Sequence, residues 1–233
     1  MDSTFWVIVP AAGSARRMGA AVPKQYLPLA GRTVIEWSLA PFLERARTRG
    51  VVVVLAEHDP RWLQTDLAGH AKVLTTLGGA ERMDSVLAGL KALETRAAAS
   101  DWVLVHDAAR PCLSRVDLDR LLNELADDEV GGLLAAPVVD TLKRADEQQR
   151  IDQTVSREKL WRALTPQMFR FELLRRALQS AVANRVAVTD EAQAIEALGL
   201  RPKLITADAD NIKITLPEDL PRAERILRAR SAA

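Results

Sequence analysis

The chain has 233 residues, 32 of them basic and 31 acidic, for a formal net charge of +1. An apolar fraction of 48% excludes a disordered chain, and the balanced charge excludes a general coat for DNA or RNA, although it leaves room for a locally basic pocket. A chain of this size can bury about 70% of its extended surface, so one domain spanning residues 1–233 is expected.

Residues 4–10 are rich in β-branched and aromatic side chains and run into A-A-G, which predicts a buried strand feeding a turn. No basic segment precedes this run, and it ends after six residues at Pro10. That is too short for a signal peptide or a membrane span, so a protein of the cytoplasm without membrane contact is expected. Val34, Ile35, Trp37, Leu39 and Phe42 predict an amphipathic helix over 33–46, which Pro41 would kink. The valine run at 51–56 predicts a second strand, Trp62 and Leu63 a short helix, and 72–76 a third strand ending at Gly78-Gly79. Met83, Val86, Leu87, Leu90 and Leu93 mark the clearest helix, and 102–106 reads as another strand.

Ser114 and Asp117 have capping-box spacing ahead of Leu118, Leu121, Leu122 and Leu125, and 131–139 returns to strand. Strands alternating with helices at this spacing predict an α/β fold with a mostly parallel sheet and helices on both faces. Residues 140–156 break the alternation. They are polar and contain no glycine or proline, and A-D-E-Q-Q-R can turn between two extended pieces. Such a hairpin cannot hold itself together in water; it either packs on its own domain or crosses to a partner, which makes it the candidate for a dimerisation arm. A helix is predicted over 167–180, another over 190–198, a strand over 203–206, and a capped helix start at Thr215 to Glu218. The tail at 228–233 is expected to fray.

Open parallel sheets collect ligands beyond the carboxyl ends of their strands. Four polar segments fall there: 10–19, 78–82, 106–111 and 210–215. The first carries neither a Walker ending nor the dinucleotide fingerprint. It combines a turn at Gly13 with Arg16, Arg17 and the nearby Lys24, which suits a polyphosphate or else a solvated basic turn. Asp107 can hold a ribose hydroxyl, help to place a divalent ion, or cap the following turn. Arg110 can bind phosphate or pair with Asp107. Gly78-Gly79 can let backbone approach a base or simply end a strand. Lys213 between Ile212 and Ile214 is a cation in an apolar stretch, aimed into a cleft or alternating on a half-exposed strand. Arg157 reads first as an ion-pair or interface residue, and Thr141 and Thr189 as turn or capping residues. His106 reads as a packed residue. With one cysteine, Cys112, and three histidines, no cysteine cluster or histidine-rich zinc centre is expected. The five tryptophans are spread along the chain and make no stacking platform for single-stranded nucleic acid.

The segments P-A-A-G-S-A-R-R-M-G, P-K-Q-Y-L, G-G-A-E-R-M-D-S-V, V-L-V-H-D-A-A-R-P-C, L-W-R-A-L-T-P-Q, V-T-D-E-A and N-I-K-I-T occur in this order. Together they resemble the 2-C-methyl-D-erythritol 4-phosphate cytidylyltransferase family, over positions 7 to 220. The resemblance implies a Rossmann-like three-layer nucleotidyltransferase fold, a homodimer through exchanged β-arms, and CTP with Mg²⁺ held mainly by the CTP phosphates. It also implies transfer of a cytidylyl group to 2-C-methyl-D-erythritol 4-phosphate. By motif, Arg17 and Lys24 would stabilise the transition state, and Arg157 and Lys213 would position the acceptor. Ala11, Ala12, Gly13, Gly79, Ser85, Asp107 and Ala108 would surround the nucleotide. Arg110, Thr141 and Thr189 would complete the acceptor site, with the arm residues Thr141 and Arg157 supplied by the other subunit. Ser14-Ala15 stands where the family often carries a glycine. Another nucleotidyltransferase acting on a different polyol phosphate, and a non-catalytic nucleotide-binding protein, are the alternatives left open.

Overall fold

The computed structural model describes residues 4–13 and 22–231. The chain runs through β1 (Phe5–Pro10), a small hairpin β2 (Pro28–Leu29) and β3 (Arg32–Thr33), α1 (Val34–Leu43), β4 (Thr48–Leu55) and β5 (Val73–Leu77). It continues through α2 (Arg82–Leu93), β6 (Trp102–Val105), α3 (Arg115–Glu124), β7 (Gly131–Pro137), β8 (Leu142–Ala145) and β9 (Ile151–Val155). β10 (Trp161–Arg170), α4 (Phe171–Ala183), α5 (Glu191–Glu196), β11 (Lys203–Thr206) and α6 (Asp219–Ser231) complete it.

Seven strands form one sheet in the order β11-β7-β10-β6-β1-β4-β5. β1 pairs in parallel with β4 and β6, β4 with β5, and β11 with β7, whereas β10 is antiparallel to both of its neighbours. The two-residue period of β1 divides the core: Phe5, Val7 and Val9 enter one apolar cluster, and Trp6 and Ile8 enter the other. α1 and α3 cover the first face through Ile35, Leu39, Phe42, Leu118 and Leu121. α2, α4 and α5 cover the second through Val86, Leu90, Leu174, Leu178 and Ile195. The α/β architecture with helices on both faces is the one expected.

Local chemistry accounts for the boundaries. Thr33 and Glu36 close a reciprocal capping box that starts α1. Pro41 lies inside the helix, which ends at Leu43, short of the expected position 46. The Ser114 hydroxyl caps α3 by accepting the Asp117 N–H at 3.0 Å. The Asp117 carboxylate reaches back to the Ser114 hydroxyl at 2.8 Å and also takes Arg120 at 3.0 Å and the Asp208 N–H at 3.3 Å. At Trp62 and Leu63 the chain makes a single 3₁₀ turn in place of an α-helix.

Two expectations are corrected. The helix expected over 167–180 begins only at Phe171, because residues 161–170 form β10 in the middle of the sheet. Pro166 hides this strand, since a proline argues against a central strand. The structure accommodates it with a cis Thr165–Pro166 peptide and an interruption of the β7 ladder between Ala163 and Gln167. Residues 228–231 are likewise helical, not frayed: Arg230 at the end of α6 donates to the Cys112 carbonyl at 2.6 Å.

The polar segment 140–156 is the hairpin anticipated. β8 and β9 pair antiparallel from Leu142↔Val155 to Ala145↔Ile151. Its turn is held by the Asp146 carboxylate, which accepts from the Gln148 and Arg150 N–H groups at 3.0 and 2.8 Å. Residues 143–154 are all exposed, Ile151 to 67%. Among the described residues, no helix is long and apolar enough to cross a membrane.

The start of β7 requires a glycine. Gly131 has φ +102°, and a Cβ there would lie 2.2 Å from the Met168 carbonyl oxygen of β10. Gly131→Ala is expected to lower stability by about 1–3 kcal/mol in urea titration. An unchanged midpoint would contradict this account of the β7–β10 contact.

Candidate active site

Side chains converge beyond the carboxyl ends of β1, β5 and β6, where an open α/β sheet collects ligands. A cavity of about 400 Å³ opens there. Ala11, Ala12 and Gly13 border it on one side, and Gly79, Arg82 and Ser85 on the other. Asp107, Ala108, Lys24 and Lys213 also line it.

Each wall is fixed by bonds the sequence makes locally available. The Ala11 N–H donates to the Val54 carbonyl at 2.8 Å, and the Gln25 amide donates to the Ala11 carbonyl at 2.8 Å. Gln25 belongs to the short turn Lys24–Tyr26, so this bond also sets Lys24 beside the strand end. Across the cavity, a Cβ on Gly79 would lie 2.3 Å from the Cβ of Asp84. The glycine lets backbone pass close to the first turn of α2. The buried Ser85 hydroxyl donates to the Glu81 carbonyl at 3.2 Å.

Asp107 lies at the centre. Its Oδ1 accepts from Arg82 Nε at 3.3 Å, and its Oδ2 from Lys213 Nζ at 2.9 Å and Arg110 Nε at 3.4 Å. Burial opposes ionisation of this carboxyl, but the cations of Arg82, Lys213 and Arg110 outweigh it and hold the group well below the usual carboxylate range. The position of Lys213 follows from its neighbours. Ile212 and Ile214 are both buried in a third apolar cluster against α6, and the Ile214 N–H donates to the Ala109 carbonyl at 2.8 Å. The lysine between them therefore faces Asp107 and the cavity. The segment 211–215 is not a strand, so the alternating-strand alternative does not apply. Lys24 Nζ donates to the Ile214 carbonyl at 2.8 Å, which brings two cations from distant parts of the chain together.

His106 lies wholly buried behind Asp107. Its Nε2 is 3.1 Å from the Arg110 carbonyl oxygen, which can only accept, so Nε2 carries the proton. Nδ1 then accepts from the Thr165 hydroxyl at 3.0 Å, and that hydroxyl in turn accepts the Asp107 N–H at 3.1 Å. Burial takes the imidazole down to about 4 despite the nearby Asp107, and it serves as a neutral strut, as the sequence implies. Burial also pushes the Cys112 thiol up to about 12, leaving it protonated.

A family model described as 2-C-methyl-D-erythritol 4-phosphate cytidylyltransferase matches residues 5–229. The chain belongs to this family. The cytidylyltransferase of Pseudomonas aeruginosa strain UCBPP-PA14 is 59% identical over 222 residues, 95% of each chain. That of Pseudomonas putida KT2440 is 55% identical over 217 residues, 93% of this chain and 92% of the relative. Among solved structures, the Francisella tularensis cytidylyltransferase superposes with a TM-score of 0.84 at 32% identity, covering 96% of this chain and 100% of the other. The Thermus thermophilus cytidylyltransferase gives 0.79 at 34% identity, over 97% and 99%.

Of the residues the family resemblance nominates, Ala11, Ala12, Gly13, Lys24, Gly79, Ser85, Asp107, Ala108 and Lys213 line one cavity. Arg110 does not line it: the residue is buried, and its guanidinium pairs with Asp107 at 3.4 Å and donates to the Asn211 carbonyl at 2.7 Å. Thr141 and Arg157 lie exposed at the base of the hairpin, where Arg157 donates to the Val139 carbonyl, and Thr189 is exposed ahead of α5. None of these three lines the cavity within this chain. Arg16, Arg17, Ser14 and Ala15 lie outside the described residues.

Sequence reasoning did not single out Arg82, Glu191, Gln25, Thr165 or Asn211. Arg82 and Glu191 stand inside G-G-A-E-R and V-T-D-E-A, but 109 residues separate them and no periodicity links such a pair.

An imidazole that binds its proton near 6.5 when unfolded and near 4 when folded favours the unfolded chain in acid. Stability should therefore rise from about pH 4 to about 6.5, by about 3 kcal/mol from His106. Urea titrations at pH 4.5 and 7 should show most of this difference, and His106→Gln should reduce it. The same pH dependence in the variant would contradict the assignment.

Proposed function

We propose that this chain transfers the cytidylyl group of CTP to 2-C-methyl-D-erythritol 4-phosphate, releasing pyrophosphate, with Lys24 and Lys213 among the groups that act on the phosphates. The observation that carries this reading is the meeting of these two lysines in one cavity at the end of a Rossmann-like sheet, in a member of this family.

An oxygen of the acceptor phosphate attacks the α-phosphorus of CTP. A new P–O bond forms as the bond from α-phosphorus to the β-phosphate oxygen breaks, and pyrophosphate leaves. The attacking oxygen is already anionic near neutral pH, so no protein base is required. That fits a site whose buried histidine is neutral and committed to two hydrogen bonds. The barrier lies in bringing anions together and stabilising charge at α-phosphorus, which preorganised cations in a partly dry cleft can do. Lys24, beside the β1 loop, would serve the nucleotide phosphates together with Arg17, and Lys213 would receive the acceptor phosphate. The backbone of Ala11–Gly13, with Gly79, Ser85 and Ala108, would surround the cytidine.

Among the described residues, no cluster of three or more histidine, cysteine or acidic side chains could cage a metal. Mg²⁺ usually takes one or two carboxylates and completes its shell with phosphate oxygens and water. Both oxygens of Asp107, the buried carboxylate of the cavity, already accept from Arg82, Lys213 and Arg110, so Mg²⁺ would be held mainly by the CTP phosphates. When bound, the ion would neutralise phosphate charge. The exposed hairpin, with Thr141 and Arg157 at its base, would cross to a second subunit and complete the acceptor site there, making the enzyme a homodimer. Its lack of cover in this chain supports that assignment.

Pyrophosphate release from CTP and Mg²⁺ should require methylerythritol phosphate, and a pentitol phosphate should substitute poorly. Lys24→Ala and Lys213→Ala should each lower kcat by about 10²–10³-fold with the fold intact. Wild-type turnover in both variants would reject their roles. Arg157→Ala should raise the KM for the acceptor while CTP binding persists, and sedimentation should report a dimer. A fully active monomer would remove the exchanged arm.

A further inference from the structure

Glu191, the first residue of α5, has a side chain only 1% exposed. Its carboxylate accepts Arg82 Nη1 at 2.5 Å and Nη2 at 3.1 Å. The Nε of the same guanidinium reaches Asp107 Oδ1 at 3.3 Å, leaving Oδ2 to Lys213 and Arg110. One arginine therefore joins a carboxylate at the end of β6 to another at the start of α5.

The residues flanking Glu191 are tied down as well. Gln167 of β10 accepts the Ala192 N–H at 2.8 Å and donates to Asp190 Oδ2 at 3.0 Å. Thr189, two residues ahead, donates its N–H and hydroxyl to Gln193 Oε1 at 2.7 and 3.1 Å. A buried ion pair of this kind is a weak source of stability, since packed apolar residues often do as well. What it supplies is direction. Two parallel N–H···O bonds fix the plane of the guanidinium and so fix which edge meets Asp107.

We propose that Glu191 is a positioning residue for the transfer reaction: it holds Arg82 so that Asp107 keeps one oxygen for Lys213, and it registers the Thr189 loop against the nucleotide cavity. The proposal rests on the reaction assigned above and extends it with a coupling between the nucleotide and acceptor halves of the site. Without the Glu191 charge, Arg82 turns its free N–H groups toward Asp107 and competes with Lys213. The acceptor phosphate then loses its alignment while the backbone around the cytidine stays in place.

Turnover of the wild-type protein with CTP, Mg²⁺ and methylerythritol phosphate, measured first, tests the underlying reaction separately. In Glu191→Gln, the KM for methylerythritol phosphate should rise at least tenfold and kcat fall at least tenfold. The calorimetric Kd for CTP should stay within threefold. A purely structural role predicts a different pattern, in which kcat falls in proportion to the fraction of protein able to bind CTP and the acceptor KM is unchanged. That result, or kinetic constants within twofold of wild type, overturns the proposal. If Glu191→Gln does not fold, Glu191→Asp, which keeps the charge and shortens its reach, should raise the acceptor KM at least threefold. An unchanged acceptor KM in Glu191→Asp, or failure of both variants to fold, also overturns it.

Discussion

A single buried carboxylate organises this molecule's site. Asp107 lies two residues past the end of β6 and is reached by a guanidinium from α2, one from its own loop, and an ammonium from the 211–215 segment. A charge so removed from water must be compensated, and the chain compensates it with cations from three separate places. The folding requirement thereby becomes a functional one. Satisfying Asp107 draws Lys213 and Arg82 to the rim of a cavity that Lys24 reaches through the Ile214 carbonyl.

The scaffold around that carboxylate is built to keep still. The buried Thr165 hydroxyl bonds the Asp107 N–H and the His106 ring together, and His106 passes the constraint to the Arg110 carbonyl. Asn211 donates to the Thr165 carbonyl at 2.7 Å and accepts from Arg110 through its own carbonyl. The antiparallel strand β10 is thus joined to both loops that carry charge into the cavity. Groups held in place in advance need little reorganisation when substrates arrive, and preorganised sites gain much of their rate in this way.

Much of this was legible in the chain itself. The apolar runs of β1, β4 and β6 announce buried parallel strands, and the polar interlude at 140–156 announces a hairpin without a core of its own. Lys213 between two isoleucines leaves open a cleft or a half-exposed strand, and the fold decides by turning it toward Asp107. β10 escaped notice because Pro166 violates the local rule for a central strand, and tertiary pairing with β6 and β7 overrides that rule. The Arg82–Glu191 pair escaped for a different reason: its partners meet only after the sheet is assembled. The family motifs contain both residues, yet only the folded chain shows what they do to Asp107.

The most direct test of this account is turnover of Asp107→Asn at saturating CTP, Mg²⁺ and methylerythritol phosphate, in protein whose near-ultraviolet spectrum shows native packing. Loss of at least about a hundredfold in kcat is expected, because the cations gathered by Asp107 lose their common anchor. Wild-type turnover from a folded Asp107→Asn protein would contradict the central role given to that carboxylate.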